Sequence, residues 1–101
     1  MDAIILCQFP SDTAGVRSMI LDHIAPLALR GEGELSFVGT ERTEPDAPES
    51  EIIAVKFKSV ELADAILLQW RNDTIFPSFV ELKLLRIEPI RCVDALVAMF
   101  P

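Results

Sequence analysis

Basic residues are scarce in this chain. Nine Lys and Arg stand against sixteen Asp and Glu, a net charge of −7 at pH 7. Phosphate recognition needs clustered Lys and Arg, so nucleic acid and anionic membrane surfaces are excluded as partners. Cysteine is scarce too. Cys7 and Cys92 form no CxxC or Cys/His spacing, so no zinc set and no metal site is expected. GxGxxG, Walker, GxSxG and HExxH motifs are all missing. That excludes dinucleotide, nucleotide, serine-hydrolase and zinc-protease chemistry in their usual forms, and no cofactor is implied. No apolar run approaches 18 residues, and the first residues lack a basic n-region. The expectation is a cytoplasmic protein with reduced thiols, a Cys7–Cys92 disulfide remaining open.

What the chain does have is apolar character: half of its 101 residues are hydrophobic. That length makes one domain, 1–101, which buries roughly 60–70% of its unfolded surface. Some apolar surface is therefore expected to lie in an interface. Residues 3–9 and 52–58 are apolar on both faces of a strand. One-sided strands alternate with polar residues; these two read as central.

Each of these strands is followed by a helix start. Ser11 or Asp12 is the expected N-cap of the first helix, and the second starts at Ser59. Val16, Met19, Ile20, His23, Ile24 and Leu27 recur at helical spacing as a buried stripe. Pro26 should kink or break this helix near Ala25, and Gly31 and Gly33 end it. Residues 34–41 form another strand, with Leu35 and Phe37 on one face and Ser36, Val38 and Thr40 on the other. Residues 41–51, with five acids and two prolines, read as a solvated hairpin loop rather than a metal loop. The second helix runs from Ser59 to about Arg71, with Leu62, Ala63, Ile66 and Trp70 inward and Leu67 and Leu68 widening the stripe. Residues 74–81 carry no clear pattern. A fourth strand spans about 82–88, and the apolar stretch 90–101 must dock on the domain or on a partner.

The order β-α-β-β-α-β is the ferredoxin-like split βαβ, an α+β fold with an antiparallel four-stranded sheet and two helices on one face. The topology places strands 1 and 3 centrally, where the doubly apolar segments fall. The other sheet face should carry Ile4, Leu6, Gln8, Ser36, Val38, Ala54 and Lys56, a mixture most simply covered by a second copy of the chain.

Four stretches carry a resemblance: the strand-to-helix start at 9–12, the proline-bearing helix at 24–27, the glycine exit at 31–37, and the third strand feeding an acidic helix at 53–65. On these the chain resembles the dimeric α/β-barrel superfamily, in which two ferredoxin-like chains pack sheet against sheet. It is most similar to small bacterial members of unknown function. The likeness spans roughly residues 3–66; Leu67 to Asp73 and the apolar tail depart from it. It implies a homodimer with a small-molecule cleft in the barrel. Cofactor-independent oxygenation occurs in that superfamily, so the alternative it implies is a monooxygenase or isomerase acting on a small aromatic or carbonyl compound.

Candidate site residues follow from these positions. His23, the single histidine, is the candidate general base, but it sits in the apolar stripe and Asp22 lies about 100° away around the helix. A hydrogen-bonded core or interface histidine is the plainer reading. Lys56, Gln8 and Ser36 could line a polar pocket between sheets, against the plainer reading of an interface salt bridge. Trp70 could be a ligand platform, although tryptophan at such a site usually packs. A ferredoxin-like sheet that binds RNA needs exposed aromatics and basic charge on its face; Val38, Ile52 and Ala54 provide neither.

Overall fold

A computed structural model describes residues 2–87. The elements are β1 (Asp2–Pro10), α1 (Val16–Leu29), β2 (Gly33–Glu41), β3 (Ser50–Phe57), α2 (Val60–Asn72) and β4 (Glu81–Ile87). The sheet is antiparallel with order β2-β3-β1-β4. This is the ferredoxin-like α+β fold, with the two doubly apolar strands at its centre. The stretch 90–101, expected to dock, and Cys92 lie outside the described residues.

The core forms between the sheet and the helices. Ala3, Ile5, Cys7 and Phe9 alternate toward the helices, and Ile53, Val55 and Phe57 of β3 face the same way; all are at most 1% exposed. From α1 come Val16, Ile20, Ile24 and Leu27, as the spacing predicts. From α2 come Ala63, Leu67 and Trp70; Leu68 points to solvent. Each large apolar side chain sealed here stabilises the fold by roughly 1.5–3 kcal/mol relative to exposure.

The helix ends differ in how closely they follow the sequence. Ser59, where the second helix was expected to start, caps α2, its Oγ accepting from the Leu62 amide at 3.1 Å. Neither Ser11 nor Asp12 caps α1. The Ser11 amide instead donates to the Glu49 carbonyl at 3.1 Å, extending the β1–β3 ladder past Pro10. The chain then needs one more turn, and Gly15 (φ 78) makes it in the left-handed region that glycine adopts freely. Pro26 does not break α1, which continues to Leu29. Ile24 and Leu27 on either side are both buried, and their packing outweighs the hydrogen bond that proline removes. At the far end Glu32 N donates to Leu27 O and Gly31 N to Ala28 O, with Gly31 at φ 70. This Schellman turn closes the helix and aims the chain into β2.

β2 corrects the expected face assignment. Leu35 pairs with Val55, yet Phe37 pairs with Ala54, because a β-bulge intervenes at Ser36. Side-chain parity therefore flips: Leu35 and Val38 register with the helix side, Phe37 with the opposite side. Ser36 is the extra residue rather than a regular member of that face.

One ion pair pins α1 to the sheet. Arg17, half exposed, reaches Glu51, whose side chain is 10% exposed. Removing the arginine strands a nearly buried carboxylate, which costs more than losing a surface pair. Arg17→Ala should lower stability by about 1–2 kcal/mol, read as a shifted urea midpoint at unchanged slope. Glu51→Gln combined with Arg17→Ala should recover part of that loss, and a double variant no better than Arg17→Ala would refute the stranded-charge account.

Candidate functional site

A groove of about 670 Å³ opens at the end of the sheet where α1 passes into β2 and β3 ends. The Schellman turn supplies one wall, Ala28, Gly31 and Glu32. Leu35 and Phe57 provide apolar lining. Gly33 sits between; a Cβ there would come 3.2 Å from Phe57 and 3.3 Å from Val55, so a side chain would crowd both. Lys56, Lys58, Asp2 and Glu34 complete the rim. Lys56 Nζ lies 3.3 Å from Asp2 Oδ2, and both are about two-fifths exposed, a pair that orients the ammonium without burying it.

Of the candidate residues, only Lys56 borders this groove. Gln8 lies toward the other end of the same sheet face; its Nε2 donates to Glu41 Oε2 at 3.4 Å, passing over β3. It lines a smaller hollow of about 170 Å³ with Phe79 and Glu81. Ser36 is the exposed bulge residue of β2. Gln8, Ser36 and Lys56 are thus not gathered into one pocket.

His23 and Trp70 belong to a different assembly. His23 Nδ1 lies 2.9 Å from the Met19 carbonyl. A carbonyl only accepts, so Nδ1 carries the proton. The imidazole also meets Phe76 edge to face at 5.2 Å, and Phe76 meets Trp70 in the same way at 5.2 Å. Three rings therefore tie α1, α2 and the 73–80 loop together. Trp70 is 5% exposed. His23 works here as a structural ring, and neither residue borders the groove.

The groove wall between 31 and 35 and Lys58 were not singled out from sequence. Their signal was a glycine pair leaving a helix, Gly31-x-Gly33, which topology sets beside Lys56-x-Lys58. The Phe76 link sat in the stretch without pattern, where periodicity has no hold on an irregular loop. Among the described residues, no group of three or more His, Cys, Asp and Glu comes together to hold a metal ion. No described helix is long and apolar enough to cross a membrane.

With the geometry in view, comparison with known proteins speaks to fold. The sequence matches no family model and no curated protein. Among solved structures it is similar to the de novo designed protein Foldit4, at 12% identity and TM-score 0.55, over 87% of this chain and 100% of that one. It is similar to the divalent cation tolerance protein CutA1 of Thermus thermophilus, at 17% identity and TM-score 0.50, over 94% and 92%. It is likewise similar to Rv0793 of Mycobacterium tuberculosis, at 15% identity and TM-score 0.50, over 90% and 99%. At these identities the likeness is one of architecture, the ferredoxin-like fold.

Cys7 provides a test of how tightly the core is closed. Burial pushes its thiol up from 9.0 to about 12. The folded state therefore holds the proton more strongly than the unfolded one. This contribution is fully present below pH 9 and is lost as pH rises toward 12. Denaturation followed from pH 8 to 11 should show falling stability that Cys7→Ala lessens. In a Cys92→Ser background a thiol reagent should label Cys7 only on unfolding; rapid labelling of the native protein would contradict the sealed core.

Proposed function

We propose that this protein is a non-catalytic homodimer that packs sheet against sheet and holds a small molecule in the groove at the sheet end. One observation carries the reading. The sheet face away from α1 and α2 presents Ile4, Leu6, Ile52, Phe37, Leu85 and Ile87, and no described element covers it. Phe37 and Leu85 are each 48% exposed. This much exposed apolar surface on one face, interrupted by Gln8, Lys56 and Lys83, marks an interface.

The groove supports the ligand half of the proposal. Asp2, Glu34 and Lys56 lie on the open side of the sheet, by their register. A second sheet laid over that face would wall in the groove and strengthen Lys56 as a polar anchor. Among the described residues its lining includes Asp2, Glu32, Glu34, Lys56 and Lys58 around Leu35 and Phe57, charged and apolar groups suited to holding a small polar molecule. Cation tolerance, the property in the name of the Thermus protein, draws no support from the described residues, which lack a metal-ligand cluster. A reducing, cytoplasmic setting fits a buried free thiol at Cys7.

Sedimentation at micromolar concentration should give twice the mass of one chain. Leu6→Glu should shift it to monomer while the circular dichroism spectrum is kept. A wild-type monomer defeats the assembly. For the ligand, native mass spectrometry of protein purified without denaturant should show an adduct that Lys56→Ala weakens. An adduct unaffected by Lys56→Ala would move the ligand away from this groove.

A further inference from the structure

Among the described residues β2 is an edge of the sheet, and it is poorly protected. Edge strands are usually blunted by lysine, proline, shortness or cover. β2 runs nine residues and contains neither lysine nor proline. Leu35, Phe37 and Val38 are 43%, 48% and 40% exposed, so apolar side chains stand out on both faces of the strand. The bulge at Ser36 disturbs one point; from Phe37 to Glu41 the ladder with β3 is regular. The outward backbone groups of this stretch have no described strand beside them and can receive one.

Charge decides what kind of strand fits. Glu32 and Glu34 stand at one end of β2, and Glu41, Glu44, Asp46 and Glu49 follow at the other. The nearby arginines are already engaged, Arg30 with Glu32 and Arg42 with Glu49. A second copy pairing antiparallel over 34–41, with Ser36 bulged out of both strands so that like faces stay together, would set Glu34 opposite Glu41, a like-charge contact that disfavours self-pairing. We propose that the β2 edge receives an extended segment of another protein, apolar and β-branched in its middle and carrying Lys or Arg at both ends. Backbone pairing supplies affinity, Leu35, Phe37 and Val38 meet the apolar side chains, and the flanking acids select the basic ends. This does not rest on the sheet-face dimer, because it uses the side of the sheet.

The probe is a seven-residue peptide with Lys at each end and alternating Val and Thr between, titrated into the full chain and followed by backbone amide NMR. Shifts should concentrate at residues 33–41 and weaken with salt. A peptide ending in Glu should bind about three- to tenfold more weakly. A peptide N-methylated at alternate residues, unable to pair, should not bind. Absence of shifts at millimolar peptide, equal binding of the Glu-ended or N-methylated peptide, or shifts centred elsewhere would overturn the proposal. So would shifts at 33–41 on concentrating the protein alone, which would make a second copy the occupant.

Discussion

The antiparallel pairing of β1 with β3 is the constraint on which everything else rests. Eight residue pairs run from Ala3 opposite Phe57 to Pro10 opposite Ser50. On the helix side this ladder sets Ile5 beside Val55 and Cys7 beside Ile53, all fully buried. α1 and α2 pack on that floor, and the edge strands hang on either side of it. Neither central strand could carry a polar stripe toward the helices without leaving polar groups unpaired in the core. The register also sets the other face, where Leu6 meets Ala54 and Ile4 meets Lys56.

A second consequence concerns chemistry. Three groups able to do catalytic work, His23, Glu51 and Cys7, are committed to structure. The His23 ring is held by the Met19 carbonyl and by Phe76. Glu51 holds Arg17, and the Cys7 thiol is sealed in the core. Among the described residues, what remains open is surface: a largely apolar sheet face interrupted by Lys56 and Lys83, a groove rimmed by Lys56, and an edge strand flanked by acids.

Much of the architecture could be read in advance because its signals are local. Two-sided apolarity marked β1 and β3, helical spacing marked the Val16 to Leu27 stripe, and Ser59 announced α2. The site was legible only in part. Lys56 could be named because a cation on a central strand stands out. Its neighbours at the groove could not, since Asp2, Gly31 and Leu35 are distant in sequence and meet only where three strands end together. Phe76 was hidden for a related reason: an irregular loop has no period from which to infer which side chain turns inward.

By itself, the sequence determined the class of fold, the central strands and the buried stripes, because burial of apolar side chains at periods of 2 and 3.6 residues is written residue by residue. It also determined the acidic net charge of −7. Tertiary structure alone decided which face each residue of β2 presents. The bulge at Ser36 arises from pairing against β3, and it turns Phe37 to the open face and Val38 to the helix side. The α1 start was decided in the same way, when the Ser11 amide joined Glu49 across the sheet and left the turn to Gly15. In both cases a hydrogen bond to a distant strand overrode a local preference, and such a bond has no trace in the residues on either side of it.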